Sequence, residues 1–293
     1  MKFLKDFKEI KGDASFRKFY RNTKKNSIIV FANKEKIKNL LIYDSINKIL
    51  IKNNIIAPKL FSQNYKKNYI EIQDLGNKTI YQLFVNHNKN HYLIFKKVIN
   101  VLNNIQLIRD KKIKNFRNKF YKIKDYKKKI LFDETRLFSD WYVPKKLTKK
   151  KINKFNNQFN KEIRLLLSKL NFRNDTFVHR DFHVSNLIIN SKKQIGLIDN
   201  QDALIGNKAY DLASLIDDVR YKTSNSLKDK AYNYYLKTNK KVDVDKFKND
   251  FDILSVLRNL KIIGIFMRLA ERDKKKKYLK LIPYAWKMID NRM

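Results

Sequence analysis

The stretch FVHRDFHVSNLIINSKKQIGLIDNQDALIGNKAYDL, residues 177–212, decides the reading of the whole chain. It gathers His179, Arg180, Asp181, Asn186, Asp199 and Asp211, separated by apolar runs. Residues 187–190 and 194–198 flank the polar turn Ser191-Lys192-Lys193 and read as a hairpin. Such a hairpin returns Asp199 to the side of Asn186. Residues 209–218 then read as a helix that Asp211 opens. Its carboxylate is expected to cap that helix or to hydrogen-bond the loop at 179–181.

His179-Arg180-Asp181 followed by Asn186 has the H-R-D-x-x-x-x-N spacing of kinase catalytic loops. The spacing has a chemical reason. Asp181 has to reach an acceptor hydroxyl and take its proton. Asn186 has to turn back toward the phosphates of a nucleotide and hold a metal ion there. Asp199 completes a pair of oxygen donors of the kind Mg2+ takes. The expected chemistry is in-line transfer of the γ-phosphoryl group of ATP, accelerated mainly by positioning and electrostatics. His179, Arg180 and Asp211 are expected to support the loop. His183 and Asp202, which flank the base, are the candidate contacts to the acceptor.

Composition narrows the alternatives. The chain has 293 residues, enough for two lobes with a core, and its 43% hydrophobic content argues against disorder. It has no cysteine, which removes disulfides, thiolate metal sites and cysteine nucleophiles and suits a reducing compartment. Charges interrupt every apolar run of the first residues, MKFLKDFKEI, so no signal peptide is expected, and no later run has the length of a membrane span. A cytoplasmic location is the expectation. The formal net charge is +39, from 67 Lys+Arg against 28 Asp+Glu. Such an excess can mark a nucleic-acid binder. Here the lysines run along the whole chain, while Gly (5) and Pro (3) are scarce, as in an AT-rich coding sequence. A nucleic-acid or membrane partner is not expected. His87/His91 and His179/His183 have four-residue spacing but no third ligand, so no zinc site is expected.

Reading outward, residues 1–10 place Phe3, Leu4, Phe7 and Ile10 at helical spacing and read as a short helix. Gly12-Asp13-Ala14-Ser15 is a small-residue turn, followed by strands at 16–21 and 27–32. That layout suits a loop over nucleotide phosphates, so Gly12, Asp13, Ala14, Ser15, Phe16 and Arg17 are candidate ATP contacts. A helix over 35–53 and strands at 59–62 and 69–73 lead to a break at Asp74-Leu75-Gly76. Gln73, Asp74 and Leu75 are candidate contacts to the nucleotide base. The boundary is placed there, giving a nucleotide-binding lobe over 1–75 and a catalytic and substrate lobe over 76–293. The second lobe reads as mostly helical. Its basic, aromatic stretch at 111–129 reads as a helix with a wet face and an aromatic face, with single-strand stacking as the alternative. Further helices are expected over 131–143, 163–170 and 255–270.

These residues resemble the aminoglycoside phosphotransferase family, whose second motif stands here as Ile198-Asp199 followed by Asp211-Leu212-Ala213. The resemblance implies an α+β, bilobal protein-kinase-like fold with a small strand-rich N-lobe and a larger helical C-lobe. It also implies an ATP-dependent enzyme that phosphorylates an alcohol group with Mg2+. Within the family, Gly12–Arg17 with Tyr20-Arg21, Asp74-Leu75-Gly76, LFSDWY at 137–142, Gln201-Asp202-Ala203 and Arg258-Asn259-Leu260-Lys261-Ile262 resemble one branch. Its members phosphorylate the anomeric hydroxyl of N-acetylmuramate and N-acetylglucosamine in peptidoglycan recycling, which implies a small sugar as the second substrate. Two departures stand out. Asn200 occupies a position where Phe is expected, and no lysine of strand 27–32 is available to clamp phosphates. That role passes to the Gly12–Phe16 loop and Arg17. Two other functions stay open: a kinase of another hydroxylated metabolite, of the aminoglycoside or choline type, and a nucleic-acid-binding protein on the same fold.

Overall fold

The computed structural model describes residues 7–10, 17–22, 24–86 and 90–293. In chain order its elements are β1 (Lys8–Ile10), β2 (Lys18–Asn22), β3 (Ser27–Phe31), α1 (Lys38–Lys52), β4 (Leu60–Asn64), β5 (Tyr69–Gln73), α2 (Ile80–Asn86), α3 (His91–Gln106), β6 (Lys112–Lys114), β7 (Phe120–Lys122), α4 (Lys128–Thr135), α5 (Lys149–Ser168), β8 (Thr176–Val178), β9 (Leu187–Ile189), β10 (Ile195–Leu197), β11 (Leu204–Gly206), α6 (Tyr210–Ile216), α7 (Asn225–Thr238), α8 (Val244–Glu271) and α9 (Ile282–Asp290). They form two units, Met1–Lys124 with His183–Ala203, and Asp125–Phe182 with Leu204–Met293. A cut after residue 75 follows the change from strand to helix. The packing instead keeps α2, α3, the β6–β7 pair and the β9–β10 pair with the sheet.

The first unit is built on an antiparallel sheet in the order β1-β2-β3-β5-β4. Val30, Ile70 and Ile72 form a core with Ala32 and with Leu40 and Tyr43 of α1. The helix expected over 1–10 is corrected, because Lys8–Ile10 is a strand. It pairs Glu9 with Tyr20 and Ile10 with Phe19. Pairing satisfies backbone groups that the edge of β2 would otherwise leave open, which outweighs local helical spacing. The helix expected over 111–129 is likewise a hairpin, with Ile113 opposite Tyr121. The Asn115 Oδ1 accepts from the N–H groups of Arg117 and Lys119 at 2.9 and 3.3 Å. Asn118 takes a φ of 56°. This turn chemistry reverses the chain. Asparagine serves the same purpose at Asn26, Asn54 and Asn68, with φ of 46, 59 and 64°. Its short polar side chain tolerates the left-handed region.

The second unit is organised around α8, which is buried along most of its length from Phe247 to Ala270. Gly264 sits where α8 meets the chain at Leu137-Phe138. A Cβ there would lie 2.2 Å from the Leu137 carbonyl carbon and 2.5 Å from the Phe138 nitrogen. The single helix expected over 131–143 is interrupted: α4 ends at Thr135, and Phe138–Tyr142 is one π-helical turn. That wider turn stacks Phe138 on Tyr142 and sets it edge-on to Trp286. The Asp217 carboxylate, fully buried, joins α6, α7, α8 and the C-terminus. It accepts from Ser255 at 2.6 Å, Lys228 at 2.8 Å and Arg292 at 2.9 Å. Among the described residues no helix is long and apolar enough to cross a membrane.

Candidate active site

In the first unit the β9–β10 ladder sets two donors side by side. Leu187 opposes Leu197, and the Ile198 N–H donates to the Asn186 carbonyl at 3.1 Å. Asn186 and Asp199 therefore flank the open end of the hairpin, with Asp199 in left-handed backbone at φ 64°. The Asp199 Oδ1 accepts from Arg17 Nη2 at 2.5 Å and from Gln201 Nε2 at 3.3 Å. Its Oδ2 takes no hydrogen bond among the described residues, and the side chain is 41% exposed. The Asn186 Nδ2 lies 3.4 Å from His183 Nε2. Among the described residues no cluster of three or more His, Asp or Glu could hold a metal. Mg2+ needs none: it takes one or two carboxylates and fills its other positions with phosphate oxygens and water. A half-exposed carboxylate oxygen beside an amide fits that ion.

Arg17 lies immediately before β2. Its guanidinium is buried, donates to Gln201 Oε1 at 2.6 Å as well as to Asp199, and lies 5.5 Å from the rings of Phe19 and Tyr43. Asn200, which replaces the expected Phe, is fully buried and donates from Nδ2 to Asn47 Oδ1 of α1 at 2.8 Å and to the Leu197 carbonyl at 3.1 Å. An amide pair thus ties α1 to the residue after Asp199, where Phe would use apolar contact.

In the second unit the loop after β8 is held by two carboxylates. Asp211, buried in the first turn of α6, accepts from the backbone N–H of His179 at 2.6 Å and of Arg180 at 2.9 Å. These bonds hold Arg180 in left-handed backbone, φ 74°, which a non-glycine residue adopts only when the surroundings enforce it. The Asp181 N–H in turn points to His179 Nδ1 at 3.3 Å. Glu134 of α4 holds the Arg180 side chain. Its Oε1 accepts from Arg180 Nη2, and its Oε2 from the Tyr126 hydroxyl and from Lys261 Nζ of α8, the last at 3.0 Å. Burial alone would push Glu134 up, but Lys261 and Arg180 outweigh it and hold the carboxyl below its usual range.

Burial also pushes Asp211 from 3.8 to about 6, against the opposing pull of His179 and of the two N–H bonds. The raised value favours the folded state below pH 4, and that contribution fades as pH rises through 6. The displacement is worth roughly 3 kcal/mol. Asp211→Asn removes the titration and turns an NH2 group toward one of the two N–H donors. The variant should melt below wild type, with a gap that narrows between pH 4.5 and pH 7.5. A gap that widens with pH would show that the N–H bonds outweigh burial.

The other expected contacts fall as follows. Gly12, Asp13, Ala14, Ser15 and Phe16 lie outside the described residues. Gln73 ends β5 opposite Ser27, and Leu75 is buried. Asp74 closes its own turn, accepting from the Gly76 N–H at 2.8 Å, and pairs with Arg21 Nε at 2.5 Å. His183 is buried beside Asn186, and Asp202 is exposed with its Oδ2 accepting from Gln201 Nε2 at 2.7 Å. Glu134 and Asn47 join these networks without a motif to announce them, and Lys261, which lies in the quoted stretch 258–262, joins them without an expected role. Each is one polar side chain in a helix.

Comparison with known proteins follows the same direction. The phosphotransferase enzyme family (APH) matches residues 6–243. Two enzymes named N-acetylmuramate/N-acetylglucosamine kinase are similar along nearly the whole chain. That of Neisseria meningitidis serogroup B is 27% identical over 282 residues, 93% of this chain and 81% of the relative. That of Pseudomonas aeruginosa is 26% identical over 286 residues, 95% and 81%. Among solved structures, the GDP complex of aminoglycoside 2'-phosphotransferase-IIIa aligns with a TM-score of 0.67 at 11% identity, over 98% of this chain and 94% of that one. Choline kinase LicA from Streptococcus pneumoniae aligns at 0.66 and 13%, over 97% and 93%. Such structures share the fold, which is α+β, bilobal and protein-kinase-like, strand-rich first and helical after. The protein is a small-molecule kinase. Matched over most of its length, the chain belongs to the phosphotransferase enzyme family.

Proposed function

We propose that the protein phosphorylates the anomeric hydroxyl of N-acetylmuramate and N-acetylglucosamine with ATP, giving sugar 1-phosphates for cell-wall recycling. The observation that carries this reading is the similarity, over more than nine-tenths of the chain, to two enzymes named for those sugars. In this reading Asp181 orients the hydroxyl and accepts its proton late in the transfer. Asp211 and Glu134 hold the loop that carries Asp181. Arg17 neutralises Asp199 until nucleotide arrives and then turns toward phosphate, the task given elsewhere to a lysine. Asn186 and Asp199 would hold Mg2+, which supplies positive charge against the phosphate oxygens.

The test is a coupled assay with the purified chain, ATP or GTP, and a panel of N-acetylmuramate, N-acetylglucosamine, choline, ethanolamine and an aminoglycoside. Both amino sugars should consume ATP, with a phosphorus signal coupled to the anomeric proton. Asp199→Ala should lose Mg2+-dependent nucleotide binding. Turnover confined to choline, ethanolamine or the aminoglycoside would overturn the substrate assignment.

A further inference from the structure

Several buried or part-buried cations of the second unit have partners among the described residues. Lys228 and Arg292 meet Asp217, while Arg180 and Lys261 meet Glu134. Arg258 of α8 does not follow the pattern. It is only 3% exposed, its Nη1 is buried with no hydrogen-bond partner, and no hydrogen bond or ion pair reaches it among the described residues. A guanidinium withdrawn from water without an anion is strongly disfavoured.

Its position indicates a use. Arg258 precedes Lys261 by three residues on α8, so the two side chains share a face of the helix. Lys261 contacts the carboxylate that holds Arg180, the residue before Asp181. Asp181 is also near enough to contribute to the charge balance of Lys261. Glu134 pairs with Arg180 and Lys261, and Asp181 adds a second carboxylate to their surroundings, whereas Arg258 on the same face has no anion among the described residues.

We infer that Arg258 receives a carboxylate carried by the acceptor. A guanidinium fork matches a carboxylate through two parallel N–H bonds, and burial strengthens them. The inference rests on the amino-sugar reading and deepens it. The two proposed sugars differ in this group: N-acetylmuramate carries a lactyl carboxylate, and N-acetylglucosamine has a hydroxyl in its place. Arg258 would then set the preference between them without taking part in proton transfer. A nucleotide phosphate could use the same fork, so the test includes ATP.

The experiment compares wild type, Arg258→Met and Arg258→Lys. Arg258→Met removes the charge at similar length and should keep or raise the melting temperature, since it deletes an unpaired buried cation. Its kcat/KM for N-acetylmuramate should fall roughly 10- to 100-fold, while that for N-acetylglucosamine stays within about threefold. Arg258→Lys should recover part of the loss. Without nucleotide, N-acetylmuramate should raise the melting temperature of wild type and not of Arg258→Met. Equal losses on both sugars, a rise confined to the KM for ATP, or a fall in melting temperature of more than about 5 °C would each overturn the inference. If wild type turns over neither sugar, the substrate reading fails instead, and the N-acetylglucosamine arm reports that separately.

Discussion

Asp181→Asn is expected to lower kcat by two to four orders of magnitude, the range supplied by a positioned general base. The substitution keeps the shape of the side chain and removes its capacity to accept a proton. Little else should change. The bonds that fix the loop run to the backbone of His179 and Arg180, and the Asp181 contact to His179 Nδ1 is made by its own N–H. The melting temperature should stay within about 5 °C of wild type, since the Asp211 and Glu134 bonds that fix the loop remain while the charge interaction with Arg180 and Lys261 is lost. Nucleotide affinity, measured by equilibrium titration, should be unchanged. A kcat within tenfold of wild type would show that Asp181 orients the acceptor without accepting its proton.

Among the described glycines, Gly264 is the one where an added methyl group should do most damage. In a helix interior this exchange ordinarily gains about 1 kcal/mol. Here the sign reverses. The new carbon would sit 2.2 and 2.3 Å from the Leu137 carbonyl carbon and oxygen and 2.5 Å from the Phe138 nitrogen, far inside van der Waals contact. All three are backbone atoms, so no rotamer change relieves the clash. Either α8 moves or the π-helical turn at Phe138–Tyr142 moves, and that turn carries the aromatic cluster with Trp286. A loss of about 3 kcal/mol or more is expected, at the upper end for overpacked cores. The melting temperature should then fall by roughly 6–12 °C. Activity should fall as well, because α8 also carries Lys261 against Glu134. An unchanged or raised melting temperature would mean that the helix and the turn separate readily.

Much of this was legible in the residue order. The β9–β10 hairpin, the β2–β3 hairpin and the α1 helix follow from period-two and period-3.6 patterns that the packing then uses. Asp211 is expected either to cap its helix or to hydrogen-bond the loop, and its carboxylate accepts from the N–H groups of His179 and Arg180. Two segments misled for different reasons. Residues 8–10 gain more from the open edge of β2 than from helical spacing. In 112–122 lysines and aromatics alternate in a way that suits either state, and the asparagines at 115 and 118 decide it. Glu134, and the role of Lys261 within the quoted stretch 258–262, are not readable from the residue order, because their ion pair joins helices far apart in sequence and neither residue type signals burial by itself. The departure from Phe at Asn200 has its physical reason in an amide partner on α1 that the residue order does not reveal.

The asparagine turns have a consequence for the unfolded chain. An L-residue in left-handed backbone carries strain of about 1 kcal/mol, part of which the asparagine side chain relieves. Glycine at the same place would avoid the strain. It would also enlarge the conformational freedom of the denatured ensemble, a disadvantage of about 0.4–1 kcal/mol per position. The two effects nearly cancel at Asn26, Asn54, Asn68 and Asn118. A composition with only 5 glycines thus keeps its tight turns at almost no thermodynamic disadvantage, because asparagine at these positions leaves the denatured state less to lose than glycine would.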